Sequence, residues 1–262
     1  MTRHDTAPAI GSLRELATLH GRSEADYPAE LLRHVRPRPE GELVDLACGE
    51  GGIAIGLRGR FRRITGVDGD ARRIARLRAR TRGTPRLRWL VQAPGRTRFP
   101  SGSLAAVTIG PAFRAMNRQL VADHVHDWLV PDGALYLFES DGFWGQLGGW
   151  PEQLRRLLQH YGGRERRELA EASARRPSRP DEAVLASARF RVRRIEAGAR
   201  NRWTPDQLLG RLRASPFAGP EALGSGHEGF ERDVLREIRP FLREGRLDYE
   251  HAYTLLIGEK AA

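Results

Sequence analysis

Short apolar runs alternate with helical patterns along the first 140 residues of the chain. The strand-like runs cover residues 43–47, 63–67, 87–91, 104–109 and 134–139. Between them, apolar side chains recur at helical spacing near residues 53–57, 71–82 and 114–129, and glycine or proline marks the junctions. This alternation predicts a parallel sheet built from strand–helix–strand units, with right-handed crossovers that place helices on both faces.

The second half of the chain follows a less regular pattern. Residues 141–150 are rich in glycine and aromatic side chains, and residues 152–161 have the pattern of a helix. Residues 164–179 are rich in arginine and glutamate and have weak apolar periodicity. A strand is predicted at 190–195, helices from residue 205 and over 228–242, and a final strand at 249–259.

Composition indicates an ordinary globular protein of 262 residues, 40% of them hydrophobic. No run is apolar enough to serve as a secretion signal or a membrane span, so we expect a cytoplasmic protein without a membrane partner. The single cysteine, Cys48, excludes a disulfide framework and a cysteine-based zinc site. We predict no metal site, because the histidines lack the spacing of metal ligands.

The net charge of +11 raises nucleic acid or acidic substrates as partners. Nearly all of the basic residues are arginines, a bias that codon usage also explains, and phosphate binding does not require arginine over lysine. Arg72, Arg76 and Arg80 line one face of a predicted helix. A solvated outer face is the favoured interpretation of this row over a nucleic-acid surface.

A glycine turn and a carboxylate carry the clearest chemistry. The segment Leu43–Gly52, LVDLACGEGG, is typical of a buried strand that runs into a glycine turn and opens a helix. Asp68 ends the next predicted strand, where a carboxylate can accept both hydroxyls of a ribose. Together they predict a crevice for an adenosine-containing cofactor, although a glycine turn alone is compatible with any nucleotide.

The segment from Val44 to Gly51 resembles the first motif of class I S-adenosylmethionine-dependent methyltransferases, and residues 66–68 resemble their ribose-binding strand end. Residues 99–104, 108–113 and 129–134 resemble later segments of the same family, in the same order. The set is most similar to the small-molecule branch. It implies an α/β, doubly wound, Rossmann-like sheet of seven strands, mostly parallel with an antiparallel C-terminal strand and helices on both faces. It further implies one domain over residues 1–262, with an N-terminal helical cover (about 1–40) and a substrate-shaping insertion (about 141–188).

The resemblance also implies roles for individual residues. Asp45 would lie near the cofactor's ammonium group, Asp68 would hold the ribose hydroxyls, Gly49 and Gly51 would pack against the methionine part, and Tyr27 would contact the carboxylate. The implied cofactor-binding residues are Tyr27, Asp45, Ala47, Gly49, Gly51, Asp68, Gly69, Ala93, Pro94, Gly110 and Phe113. The implied acceptor-binding residues are Phe113, Asn117, Phe143 and Trp144.

Some positions depart from the family pattern or keep a second interpretation. Ala93 stands where the family usually has an acidic residue that bonds the adenine amine, which predicts weaker side-chain recognition of adenine. Ala105 replaces an aspartate whose role concerns sheet packing. Asp45 is also compatible with a buried structural carboxylate, provided that it has a partner. Phe143, Trp144 and Trp150 either cover the hydrophobic core or form the wall of a pocket; both interpretations stay open.

Methyl transfer requires a proton acceptor only when the methyl acceptor carries a proton. Tyr27, Glu139 and His227 are the predicted catalytic residues, and Asp141 is a further candidate. For His227, a loop histidine near the start of a helix is the favoured interpretation over a catalytic role.

Three functions follow from these observations. The first is methyl transfer to nitrogen or oxygen of a small-molecule metabolite, in specialised metabolism such as natural-product or antibiotic biosynthesis. The second, motivated by the charge, is an RNA methyltransferase or RNA-binding protein, although no nucleic-acid module accompanies the motifs. The third is a methyltransferase-fold protein that no longer transfers methyl groups, such as a cyclase or a regulator. Formation of a homo-oligomer is left open.

Overall fold

A computed structural model describes residues 29–140, 148–174, 179–213 and 218–261 of the chain. Its strands are β1 Arg38–Leu46, β2 Phe61–Asp68, β3 Leu87–Val91, β4 Leu104–Ile109, β5 Leu129–Ser140, β6 Arg191–Trp203, β7 Leu242–Arg243 and β8 Arg246–Glu259. Its α-helices are α1 Ala29–Leu32, α2 Gly52–Gly56, α3 Ala71–Arg80, α4 Arg118–Trp128, α5 Gly149–Ala174, α6 Asp181–Ser187, α7 Pro205–Arg213, α8 Pro220–Leu223 and α9 His227–Ile238.

The strands form one sheet in the order β3-β2-β1-β4-β5-β8-β6. Strands β1 to β5 are parallel, and β8 is antiparallel to both of its neighbours. The predicted sheet of seven strands with an antiparallel C-terminal strand is therefore confirmed. The two-residue strand β7 pairs with β8 outside this order and was not predicted.

Alternate residues of each strand pack into two different cores. Leu43 belongs to a core with side chains of α1, α2 and α3, whereas Val44 belongs to a core with side chains of α4 and α6. Because successive side chains of a strand point to opposite faces, helices cover both faces of the sheet, as predicted.

Some predicted boundaries differ from those in the structure. The helix expected over residues 114–129 is a 3₁₀ turn, Pro111–Ala115, followed by α4, since the Asn117 side chain caps α4 by accepting from the Leu120 N–H. The turn expected at residues 131–133 lies within β5, where Asp132 has a φ of 58° and the register shifts. The helix expected to stop at residue 161 continues to Ala174 with a break at Gly163.

A third core lies beyond the carboxyl ends of the parallel strands. β5 ends its pairing with β8 at Ser140 opposite Tyr253, but β6 and β8 continue as a two-stranded ribbon as far as Trp203 opposite Leu247. At about 3.3 Å per residue, the ribbon projects roughly 20 Å past this edge of the sheet.

Helices α5, α7, α8 and α9 pack with the ribbon around Trp150, Trp203 and Tyr249. We call this ribbon and its four helices the edge cap. The predicted insertion, residues 141–188, contributes α5 to the edge cap and α6 to the sheet core, and the other cap helices come from residues 205–238.

Candidate cofactor and acceptor site

The predicted cofactor residues meet at the carboxyl edge of the sheet. In the register, Leu46 lies opposite both Val67 and Ile109, so β1, β2 and β4 end side by side. The turn after β1, Asp68 at the end of β2 and Gly110 after β4 therefore share one edge. An edge of this kind, where neighbouring strands diverge, is where ligands bind in open α/β sheets.

The turn after β1 uses three left-handed residues. Ala47, Gly49 and Gly51 have φ values of 57°, 57° and 77°, a region in which a side chain costs about 1 kcal/mol. A Cβ at Gly49 would meet no atom within 4 Å, so the turn borders open space there. A Cβ at Gly51 would lie 2.7 Å from the Trp89 ring, so glycine is required there for packing as well as conformation.

Asp68 is almost fully buried and is held by backbone donors. Its Oδ2 accepts from the Gly49 N–H and its Oδ1 from the Asp70 N–H, both at 3.0 Å. The Arg73 Nη1 lies 3.4 Å from both oxygens. These contacts tie the end of β2 to the glycine turn, and the predicted contact of Asp68 with a ribose stays a prediction.

Asp45 joins three elements inside the fold. Its Oδ1 accepts from the Thr108 hydroxyl at 2.8 Å and its Oδ2 from the Ala54 N–H at 3.3 Å. Burial, the dominant cause, raises the pKa of Asp45 to about 7. The side chain thus has the partners that a structural carboxylate needs, and its predicted contact with an ammonium group stays a prediction.

The predicted adenine side of the site lies between Gly69 and the turn after β3. A Cβ at Gly69 would meet only the Ala93 Cα, at 3.9 Å. Ala93 precedes the 3₁₀ turn Pro94–Arg96, and its carbonyl accepts from the Arg96 N–H at 2.9 Å and the Thr97 hydroxyl at 3.2 Å. Ala93 therefore offers adenine neither a carboxylate nor an unused carbonyl of its own.

Arginines of α3 converge on the glycine turn, which the sequence did not predict. Arg76 Nη2 lies 2.9 Å from the Glu50 carboxylate, and Arg80 Nη2 donates to the Glu50 carbonyl at 2.7 Å. Arg72, Arg76 and Arg80 are all exposed, in agreement with the solvated face expected for this row, and Arg76 and Arg80 in addition contact the turn. Arg73 Nε also lies 3.4 Å from the Glu50 carboxylate.

Comparison with known proteins identifies this part of the chain. The family described as methyltransferase domain matches residues 43–133, which contain the glycine turn, Asp68 and Gly110. Residues 43–133 form a methyltransferase domain. This confirms the predicted family, and with it the kind of enzyme and the cofactor, S-adenosylmethionine, that the family uses.

Solved structures share the fold of this methyltransferase domain. The YcgJ protein from Bacillus subtilis is 16% identical with a TM-score of 0.58 over 89% of this chain and 97% of its own. A putative type II methyltransferase from Anaeromyxobacter dehalogenans is 18% identical with a TM-score of 0.61 over 90% and 96%. A geranyl diphosphate methyltransferase in complex with S-adenosylmethionine is 20% identical with a TM-score of 0.53 over 98% and 93%. No curated protein sequence matches the chain.

The residues of the methyltransferase domain fit its cofactor at this edge. Open space borders the turn at Gly49, and the Asp68 carboxylate lies beside it. This arrangement suits the ribose diol of S-adenosylmethionine, with room for its amino-acid part beside Gly49.

A cluster of charged side chains lies beside the cofactor edge, at the end of β5. Glu139 Oε2 accepts from Arg114 at 3.2 Å, and Asp181 Oδ1 accepts from Arg118 at 2.5 Å. Burial and a hydrogen bond with Asp181 raise the pKa of Glu139 to about 7. Of this cluster, the sequence predicted only Glu139.

The structure separates the other predicted acceptor residues. Phe113 is 2% exposed within the core that contains α4, and the Asn117 oxygen is used as the cap of α4. Trp150 packs in the edge cap as core, so the core-cover interpretation holds for this residue. Tyr27, Asp141, Phe143 and Trp144 lie outside the described residues.

His227 begins α9 in the edge cap. Its Nε2 lies 3.5 Å from Glu231, which also binds Arg213. No described residue gives this nitrogen a hydrogen bond. The contacts of His227 connect it to the edge cap, and its predicted catalytic role stays a prediction.

Proposed function

We propose that this methyltransferase domain transfers the methyl group of S-adenosylmethionine to a nitrogen or oxygen of a small molecule at the carboxyl edge of the sheet. The observation that carries the proposal is the junction of the glycine turn with Asp68, within a segment that matches the methyltransferase domain family. We place the acceptor between this junction and Glu139.

The cofactor supplies a methyl group that its sulfonium already activates, so the protein has to orient and shield the reactants. Asp68 accepts the ribose hydroxyls, and the turn at Gly49 leaves room for the amino-acid part. Backbone donors hold Asp68 before the cofactor arrives, which reduces the ordering that binding requires.

Glu139 is the proton acceptor in this proposal. A carboxylate with a pKa of about 7 is half ionised near neutral pH, which suits a group that takes a proton from a hydroxyl or an ammonium. Arg114 borders Glu139 and stabilises its ionised form. Asp181 opposes that ionisation, so the pair of carboxylates can hold the proton that the acceptor loses.

The edge cap supports a small acceptor over a polymer. Its ribbon extends past the carboxyl ends of the strands, next to β5, and its helices pack on the ribbon. In this proposal the edge cap borders the acceptor and helps to exclude water from the reacting groups. A long polymer would need this edge to be open. One protein of the same fold is named a geranyl diphosphate methyltransferase, after a small molecule, which agrees with the proposed class of acceptor.

RNA methylation is the second candidate, and the net charge of +11 favours it. Against it, many arginines are occupied by carboxylates, including Arg62 with Glu42, Arg194 with Glu182 and Arg213 with Glu231. RNA binding that weakens steeply with salt would support this alternative.

The test uses S-adenosylmethionine with a tritiated methyl group. The wild-type chain should show a higher melting temperature with millimolar cofactor, and label should pass to the small-molecule fraction of a metabolite extract. Label in the RNA fraction would support the second candidate. Cofactor binding without any labelled product would support a methyltransferase fold that has become a cyclase or a regulator, and absence of a melting shift would contradict the proposal.

A further inference from the structure

Arg73 is a buried cation whose hydrogen-bonding capacity is poorly used. Its side chain is 9% exposed, and it reaches Asp68 and Glu50 at distances of 3.4 Å only. Its Nε has no hydrogen-bond partner among the described residues. A guanidinium has five N–H donors. Buried donors normally form hydrogen bonds, because a buried donor without an acceptor costs free energy.

Both carboxylates beside Arg73 have closer donors than Arg73. Asp68 accepts from two backbone N–H groups at 3.0 Å, and Glu50 has Arg76 at 2.9 Å. Both carboxylates therefore have hydrogen-bond donors other than Arg73. Arg73 itself makes only long contacts with the two carboxylates. The geometry indicates that an acceptor atom belonging to a ligand would complete the surroundings of the guanidinium.

The neighbours of Arg73 restrict the chemistry of that ligand. A phosphate would be repelled by Asp68 and Glu50, which lie on both sides of the guanidinium. A hydroxyl group can donate to a carboxylate while it accepts from a guanidinium, so a diol satisfies both residues at once. On the proposed function, the diol at Asp68 is the ribose of S-adenosylmethionine.

We propose that Arg73 is a cofactor-binding residue that donates a hydrogen bond to the ribose hydroxyl whose proton is accepted by Asp68. Arg73 and Asp68 then form a donor–acceptor pair for the diol. Hydrogen bonds from this pair to the ribose strengthen the binding of the nucleoside part of the cofactor. They matter here because Ala93 provides no side-chain recognition of adenine. The inference rests on the proposed cofactor and adds a residue that the glycine-turn and ribose motifs do not contain.

The test measures binding of S-adenosylhomocysteine and its 2′-deoxy and 3′-deoxy analogues by titration calorimetry. The homocysteine form is used because it lacks the sulfonium charge, whose affinity would respond to the loss of any nearby cation. Arg73→Met keeps the length and removes the donors, and Arg73→Lys keeps the charge. Arg72→Met removes the charge of the preceding, exposed arginine and serves as the matched control.

We expect Arg73→Met to weaken S-adenosylhomocysteine binding at least about tenfold, the effect of losing one hydrogen bond from a charged donor. The variant should also lose the preference of the wild type for the ribose ligand over at least one deoxy analogue. Arg73→Lys should recover part of the affinity, and Arg72→Met should bind like the wild type. Thermal unfolding without ligand verifies that each variant is folded.

Two results would overturn the role of Arg73 alone. One is unchanged binding with an intact ribose preference in Arg73→Met, which would make Arg73 a structural counter-ion. The other is tighter binding, which would show that Arg73 competes with the ribose for Asp68. A wild-type chain that does not bind S-adenosylhomocysteine would instead overturn the proposed function, and the role of Arg73 with it.

Discussion

Asp68 and Glu139 both lie at the carboxyl edge of the sheet, but their surroundings differ. Asp68 accepts from two backbone N–H groups, which carry no titratable charge and are fixed by the turn and by the start of α3. Glu139 is surrounded by side chains, with Arg114 on one side and Asp181 on the other, and its pKa is raised to about 7.

This difference separates two kinds of site. The cofactor side is built from local backbone geometry, which is suited to holding one ligand in one orientation. The acceptor side is built from groups that can gain or lose a proton near neutral pH. The following variants test whether binding and proton transfer are divided between the two sides in this way.

The largest effect is expected for Asp68→Ala. Removing the carboxylate should lower the affinity for S-adenosylmethionine by about a hundredfold or more, because hydrogen bonds to a charged group contribute about 1.5–3 kcal/mol each. The cofactor-dependent rise in melting temperature should disappear. Asp123→Ala, which removes an exposed carboxylate from α4, should leave it unchanged. An Asp68→Ala protein with wild-type affinity would mean that the cofactor side is wrongly assigned.

Glu139→Gln should affect turnover more than cofactor affinity. Loss of a proton acceptor lowers kcat about a hundredfold or more, and the rise of the wild-type rate through pH 7 should vanish. Glu196→Gln, which removes an exposed carboxylate paired with Arg194, is the control. Equal rates and pH profiles for wild type and Glu139→Gln would assign Glu139 to structure only.

The same variant has a second readout in stability. Because the pKa of Glu139 is raised from 4.5 to about 7 in the folded state, the folded chain holds a proton that the unfolded chain has lost between those pH values. Stability should therefore fall as pH rises through this window. Urea unfolding at several pH values should show a weaker dependence of the free energy of unfolding on pH in Glu139→Gln than in the wild type. The difference should correspond to at most one proton, whether or not Glu139 takes part in proton transfer.

Gly51 and Gly49 separate packing from binding within the cofactor side. Gly51→Ala should lower the free energy of unfolding by about 2–4 kcal/mol for two reasons. The new methyl group would clash with the Trp89 ring, and alanine would have to adopt an unfavourable positive φ. Gly49→Ala should cost about 1 kcal/mol, from φ alone, since nothing lies near its Cβ. Its methyl group would occupy the space proposed for the cofactor, so affinity should fall more than stability does. Similar stability losses for the two variants would argue against the Trp89 contact.

The cofactor side could be predicted from sequence because its parts are local. Apolar runs and glycines between residues 43 and 68 specify a strand, a turn and a second strand, and parallel strands bring their carboxyl ends together. Arg73 lies in the first turn of α3, five residues after Asp68, and could have been found by asking which side chains of α3 point back toward the glycine turn.

The acceptor side could not be predicted in the same way. Arg118 and Asp181 are 63 residues apart, and Arg114 and Glu139 are 25 apart. Their pairing depends on how α4, α6 and β5 pack, and periodicity carries no information about such contacts. The edge cap could not be predicted for the same reason. Its core brings Trp150 together with Trp203 and Tyr249, which lie in separate parts of the sequence.

The smallest effect, and a test of the cofactor side that is independent of charge, is Ala47→Gly. Ala47 has a φ of 57°, so glycine would remove backbone strain of about 1 kcal/mol from the folded state. Glycine would also raise the conformational entropy of the unfolded chain, which lowers stability by about 0.4–1 kcal/mol. The free energy of unfolding should therefore rise by less than about 1 kcal/mol or stay unchanged. Asp132→Gly relieves a comparable φ of 58° within β5, distant in sequence from the turn, although it also removes a carboxylate. Equal stability changes in the two variants, with cofactor affinity altered only by Ala47→Gly, would indicate that the alanine contributes to the shape of the turn that receives the cofactor. Unaltered affinity in both would mean that the turn tolerates either residue, and that Asp68 and Gly49 account for its binding function.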